Sequence, residues 1–185
     1  MKAWISVINE EDAQGELRAA YDRAKKTRGS LSNVMQVHSL DPDSIRLHMD
    51  LYLHLMFGKS NLTRLEREMI AVAVSQSNGC NYCITHHGEA LTAHTRDQGL
   101  LENVKNARIE NLSSTSRAML DYAIKLTKNP EGVTRDDVDA LRTVGFSDED
   151  ILRINLIVSY FNFANRVVSG LGVPLEDKTA RVYKY

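Results

Sequence analysis

Apolar residues in this chain return at intervals of three and four, and no stretch sustains a two-residue apolar/polar alternation. Spacing of that kind lines up side chains on one face of an α-helix, and the missing alternation argues against sheet. Residues 10 to 28 give the first amphipathic helix, with Ala13, Leu17, Ala20, Tyr21 and Ala24 as its stripe, a Lys-Lys-Thr-Arg run at its electronegative end and Gly29 as its stop. Ahead of it, Trp4, Ile5 and Val7 form an apolar lead-in suited to docking on the body of the protein or on a neighbouring subunit. Leu31 to Leu40 reads as a connector or short helix. Pro42 suits a first helical turn, and Ile45, Met49, Tyr52 and Met56 follow at helical spacing up to Gly58.

The next segments carry their own start and stop signals. Thr63 and Glu66 have capping-box spacing ahead of the apolar run Met69 to Val74. Ser77, Asn78 and Gly79 interrupt the pattern, since Asn and Gly readily take the left-handed conformation that ends a helix. A further helix is expected from Cys80 to about His94, then a short piece from Leu100 to Ala107 beyond Gly99. The cluster Ser113 to Ser116 caps a helix bearing Met119, Tyr122, Ala123 and Leu126, which ends before Asn129 and Pro130. Thr134 starts another with Val138 and Leu141 inward and Gly145 closing it. Ser147 and Asp150 resemble a cap for the last long helix, whose nearly continuous apolar surface from Ile151 to Val168 suggests central burial before Gly170, Gly172 and Pro174 end it. The expectation is one all-α domain over residues 1–185, a bundle of roughly seven to eight helices with its motif core at about 40–95.

Composition narrows the functional classes. At 185 residues, 43% apolar and 25% charged, the chain is long enough to bury a core. A formal charge of -1 gives no electrostatic footprint for nucleic acid or an anionic membrane. No signal-peptide core and no membrane-length apolar run occur, so a cytoplasmic location is the default expectation. In a reducing compartment, two cysteines at CxxC spacing point to redox chemistry or metal binding rather than a structural staple.

Those cysteines, Cys80 and Cys83, sit in the segment that also holds His87, four residues on, and follow Glu68 on the preceding helix. Helical spacing puts Cys80, Cys83 and His87 on one face, about one turn apart. The positive end of that helix favours thiolate, and favours it most at Cys80. Lowering a thiol from about 8.5 to about 6 raises the thiolate fraction at pH 7 roughly 30-fold. Nucleophilicity falls by roughly 13-fold at a Brønsted slope near 0.45, leaving a gain of about twofold. A positioned acid that protonates a departing oxygen adds about 10² to 10⁴, the role His87 suits, with Glu68 orienting it or relaying its proton. Glu66 is accounted for by the capping box, whereas Glu68 has no local structural task.

The set Glu68, Cys80-Asn-Tyr-Cys83 and His87 resembles the active-site pattern of the alkylhydroperoxidase D-like superfamily, which includes the carboxymuconolactone decarboxylases. The segment YFNFANRVVSGLGVPLE near the C-terminus is similar to its peroxidase-related branch. The stronger likeness spans roughly residues 40 to 90 and a weaker one about 155 to 176. The resemblance implies an all-helical, homo-oligomeric protein, trimer or hexamer, that reduces hydroperoxides with thiols. It implies attack by Cys83 and resolution by Cys80, with a lipoyl-type or thioredoxin-like dithiol as reductant. The best-known members carry a histidine directly before the second cysteine, where this chain has Tyr82, a departure that bears on the proton relay.

Other readings use the same residues. A disulfide reductase or redox sensor would employ the same pair. A non-catalytic helical oligomer would instead hold structural zinc on Cys80, Cys83 and His87, with His86 or Glu68 completing four ligands. The peroxidase reading calls for no cofactor and no metal. Tyr82 reads as a pocket wall or subunit contact, His38, His48, His54 and His94 as structural or exposed, and Asn162, Asn165 and Arg166 as packing or interface residues.

Overall fold

Caps punctuate the chain, and the helices run between them. The computed structural model describes residues 1–177 and Tyr183, so the last part of the expected 1–185 domain lies outside the described residues. Nine α-helices and no strand occur among the described residues. They are α1 (Gly15–Arg28), α2 (Asn33–Gln36), α3 (Pro42–Phe57), α4 (Arg64–Ser77), α5 (Asn81–His94), α6 (Gln98–Lys105), α7 (Ser114–Lys128), α8 (Arg135–Thr143) and α9 (Asp148–Gly170). The short α2 falls where the sequence reads as connector or short helix. No helix among the described residues is long and apolar enough to cross a membrane.

The first helix begins later than its apolar stripe suggests. Glu10–Asp12 form a 3-10 turn, Gln14 is extended, and Gly15 takes φ +53°, which breaks helical continuity with the residues before it. Elsewhere the local signals operate as expected. Thr63 and Glu66 close a reciprocal capping box on α4, with the Glu66 N–H donating to Thr63 Oγ1 at 3.2 Å and the Thr63 N–H to Glu66 Oε2 at 2.7 Å. Ser147 and Asp150 do the same for α9.

The chain divides into two units, Met1–His54 with the stretch from Arg166 onward, and Leu55–Asn165. The first is built on Leu17, Tyr21 and Ala24 of α1, Met35 of α2, and Ile45 and Met49 of α3, with Ala13 beside them. Burying the Tyr21 ring requires a partner for its hydroxyl, which donates to the Ile8 carbonyl at 2.8 Å. The lead-in stays within this unit: the Trp4 N–H donates to Leu171 O at 2.9 Å and its indole lies over Gly172, where φ is +60° and a Cβ would meet the ring. The indole is nevertheless 77% exposed.

The second unit is organised around α4, which packs chiefly on α5 and α7. Every residue from Arg67 to Ser75 is buried. Among them, Arg67 donates to the carbonyls of Leu55, Gly58 and Leu62, satisfying acceptors where α3 ends and the connecting loop turns. Burial of α9 is one-sided: Ile154, Ile157, Val158 and Phe161 are enclosed, but Leu152, Leu156 and Phe163, on the side away from the core, remain exposed.

Candidate functional site

A single left-handed residue sets the dithiol. α4 ends at Ser77, Asn78 keeps right-handed geometry (φ -93°), and Gly79 alone takes φ +67°. The chain then turns so that the Cys80 N–H reaches the Ser75 carbonyl at 2.9 Å. Cys80 becomes the N-cap of α5, one residue before the helix proper, and its side chain makes no capping bond to the first turn.

Both cysteines are free thiols and buried. Their sulfurs lie 2.8 Å apart, with Cys80 Sγ–H donating to Cys83 Sγ. A disulfide is about 2.05 Å long, so closing one requires a shift of less than about 1 Å. The Cys83 thiol is pushed above its ordinary value first by the hydrogen bond with Cys80, then by burial and by charge on Cys80, with Asn165 opposing them. Two thiols this close resist losing both protons, because the second negative charge would stand beside the first.

The helix before the thiols, α4, carries a fully enclosed carboxylate. Glu68 on α4 is 0% exposed, and its Oε2 accepts from His87 Nδ1 at 2.7 Å. Its Oε1 accepts from Arg64 Nε at 2.8 Å and Nη2 at 2.5 Å. Burial pushes the Glu68 carboxyl up, but the charges and hydrogen bonds of His87 and Arg64 outweigh it and hold the group below the usual carboxylate range. An ionised carboxylate only accepts, so Nδ1 of His87 carries a proton and Nε2 is the nitrogen that can exchange one with a reacting group. The His87 ring meets Phe161 edge to face, with centroids 4.5 Å apart, while the Arg64 guanidinium lies 3.8 Å over Phe57 and donates to Met56 O.

The neighbouring candidates separate cleanly. His86 packs against Tyr82 at 4.5 Å between ring centroids, one turn apart on α5, and Tyr82 is buried. His94 is half-buried, and burial followed by the Arg64 charge lowers its pKa. Among the described residues no group of three or more His, Cys, Asp or Glu side chains is arranged to hold a metal ion. A cavity of about 440 Å³ on α5 and α6 is lined by Ile84, Thr85, Gly88, Glu89, Thr92 and Lys105, and neither thiol nor His87 reaches it.

Two participants escaped the sequence reading. Arg64 precedes Glu68 by four residues, the spacing of a helical ion pair, and that signal was available. Asn165, read from the sequence as a packing or interface residue, donates from Nδ2 to Ser75 Oγ at 3.2 Å from a position 90 residues away, and no local spacing announces it.

The carboxymuconolactone decarboxylase family model matches residues 42–125, a span containing Glu68, both cysteines and His87. Over 98% of both chains, the protein is similar to the alkylhydroperoxidase AhpD core of a peroxidase-related protein from Ralstonia eutropha JMP134, with 30% identity and a TM-score of 0.84. A peroxidase-related protein from Silicibacter sp. TM1040 is similar at 30% identity and a TM-score of 0.85, covering 97% of this chain and 94% of that one. The protein YdfG of Bacillus subtilis is 25% identical over 151 residues, 77% of this chain and 96% of its own length. The chain belongs to the AhpD-like carboxymuconolactone decarboxylase superfamily, in its peroxidase-related branch.

Proposed function

We propose that the protein is a thiol-dependent peroxidase that reduces organic hydroperoxides through a Cys80/Cys83 dithiol-disulfide cycle. The observation that carries this reading is the pair of sulfurs 2.8 Å apart at the start of the helix that also carries His87, whose imidazole is hydrogen-bonded to Glu68. Cys83 passes its proton to His87 Nε2 and attacks one peroxide oxygen. The O–O bond breaks, sulfur is oxidised to the sulfenic acid, and the alkoxide leaves as alcohol with the proton from His87. Cys80 then attacks the sulfenic sulfur, the S–O bond breaks, and water departs as the disulfide forms. Both electrons come from the thiol pair, and an external dithiol of lipoyl or thioredoxin type restores it. Cys83 is assigned the attack because His87 lies one turn along α5 from it, and protonating the leaving oxygen contributes more than ionisation alone.

The protein works in a reducing compartment such as the cytoplasm and assembles as a trimer or hexamer, for which the exposed Leu152, Leu156 and Phe163 offer a face. Cumene hydroperoxide added to reduced protein removes two titratable thiols per chain, and turnover with hydroperoxides exceeds turnover with small disulfides. Consumption of cumene hydroperoxide by Cys83→Ser at the parental rate rules the assignment out.

A further inference from the structure

One ring on the enclosed face of α9 touches the proton relay itself. Phe161 is 1% exposed and stands in a buried stripe with Ile154, Ile157 and Val158, so its pattern alone is that of a core residue. What it packs against, however, is the His87 imidazole, with ring centroids 4.5 Å apart and planes at 80°. That separation is at the short end of the range for aromatic pairs, so the two rings are in direct contact. Tyr160, also buried, meets Phe161 edge to face with centroids 5.1 Å apart.

The contact supplies something that the carboxylate does not. Glu68 Oε2 accepts from His87 Nδ1 at 2.7 Å, which fixes one corner of the ring. A hydrogen bond at one corner leaves a ring free to swing about the donor–acceptor line, and the χ2 torsion of histidine is broad. Such a swing carries Nε2, the nitrogen that exchanges a proton, along an arc. A proton donor has to come within about 2.6–3.2 Å of the atom it serves, and a displacement near 1 Å costs about 10² in rate. A second ring packed at a steep angle against the imidazole blocks that arc. Phe161 is in turn held by the register of α9. Asn78, beside the Gly79 turn, donates from Nδ2 to Asn162 Oδ1 and to Asn165 Oδ1, each at 3.0 Å, and Asn165 Nδ2 donates to Ser75 Oγ on α4 at 3.2 Å. These bonds begin one residue beyond Phe161 and tie α9 to the end of α4.

We propose that Phe161 is a positioning residue for proton delivery: it stops the His87 imidazole from turning about its bond to Glu68 and so fixes where Nε2 stands when a departing alkoxide takes the proton. This role presupposes that His87 is the acid of the proposed peroxidase, but the hold on the ring can be read without turnover. A dependence on the leaving group follows. With either an alkyl hydroperoxide or a peracid the O–O bond breaks and the Cys83 sulfur is oxidised to the sulfenic acid. The alkyl hydroperoxide expels an alkoxide, which leaves as alcohol with the His87 proton. The peracid expels a carboxylate, which departs without it, and the proton passes to water.

Reduced full-length protein is mixed in single turnover with cumene hydroperoxide and with peracetic acid, and thiol loss is followed for the parent, Phe161→Leu and Ile154→Ala. Phe161→Leu slows the reaction with cumene hydroperoxide about tenfold, while the rate with peracetic acid stays within about twofold of the parent. Ile154→Ala, a truncation in the same buried stripe, lowers the melting temperature at least as far and leaves the ratio of the two rates at the parental value. The proton resonance of His87 Nδ1–H, assigned by its loss in His87→Asn, exchanges with water about tenfold faster in Phe161→Leu than in the parent. Equal slowing with both oxidants in Phe161→Leu overturns the proposal, as does a parental rate with cumene hydroperoxide or a ratio that moves as far in Ile154→Ala. Should Phe161→Leu fail to fold, Phe161→Met, which keeps the bulk but presents no ring, decides by the same readouts. Failure of the peroxidase reading shows differently: Cys83→Ser consumes cumene hydroperoxide at the parental rate while Nδ1–H exchange in Phe161→Leu still accelerates.

Discussion

Glu68 accepts a hydrogen bond from His87 Nδ1 at 2.7 Å, joining α4 to α5. Because Arg64 occupies the other carboxylate oxygen, this group is surrounded by positive charge as well as protein. A carboxyl held below its ordinary range stays ionised at neutral pH, so it orients and polarises the imidazole instead of storing the proton. Arg64 and Phe57 thereby belong to the support of the site, although neither lies near the cysteines in sequence.

Removing the carboxylate charge tests that division of labour. Glu68→Gln lowers hydroperoxide turnover by about 10- to 100-fold, part of what a positioned acid-base residue supplies. Arg64→Met should leave the neutral-pH rate closer to the parent but move the acid limb of the pH-rate profile upward. The sign follows from the depressed folded value: Glu68 contributes stability and charge above its unfolded value of about 4.3, and both are lost as pH falls through the folded value. Losing one of two cationic partners raises that folded value, so the loss begins at higher pH. Initial rates with cumene hydroperoxide from pH 4.5 to 8 check both variants, and coincident acid limbs in Arg64→Met and the parent contradict the account.

Legibility in the sequence followed the distance over which each interaction acts. The capping boxes at Thr63/Glu66 and Ser147/Asp150 span three residues, and the starts of those helices were readable from that spacing. The closeness of Cys80 and Cys83, whose sulfurs are 2.8 Å apart, was legible for the same local reason. The α1 start was misplaced because apolar spacing continues through Ala13 while Gly15 adopts a backbone angle that spacing does not report. The hydrogen bonds from Asn78 to Asn162 and Asn165, and from Asn165 to Ser75, were beyond reach for a different reason: they join residues 84, 87 and 90 positions apart.

The Gly79 turn gives a second prediction, in which backbone strain separates from crowding. A Cβ at Gly79 meets nothing within 4 Å, so Gly79→Ala suffers only the cost of φ +67°, about 1–2 kcal/mol. Gly145→Ala, at φ +103° and equally uncrowded, serves as the control away from the dithiol. Both variants should melt several degrees lower, roughly 2–8 °C. Only Gly79→Ala should also slow peroxide-driven disulfide formation, because it alone moves the turn that hands Cys80 to Ser75 O. Equal slowing in the two variants would mean that general destabilisation, and not the turn, limits the thiols.

The buried imidazole pair of the other unit makes stability depend on mild acid. Ser44 donates its hydroxyl proton to Asp41 O at 2.7 Å, so it accepts from His38 Nδ1 at 2.9 Å, and His38 Nε2 in turn accepts from His48 Nδ1 at 3.2 Å. The chain needs His38 Nε2 without a proton, and burial disfavours charge on both rings. Burial first, and the nearby His38 second, lower His48 to about 3, while burial lowers His38 against the opposing charge of Asp41. An unfolded histidine titrates near 6.5, so between about 6.5 and 3 the unfolded chain binds the proton that folded His48 refuses. Stability is therefore full above about pH 6.5 and declines as pH falls, by roughly 2–3 kcal/mol at pH 4.5 from His48 alone. Urea midpoints at pH 7 and 4.5 should differ by about 1 M for a slope of 2–3 kcal/mol/M. Replacing the titrating ring, His48→Asn lowers the midpoint at pH 7 through lost packing but largely abolishes the fall between the two pH values. A fall as steep in His48→Asn as in the parent would assign the acid sensitivity to other groups.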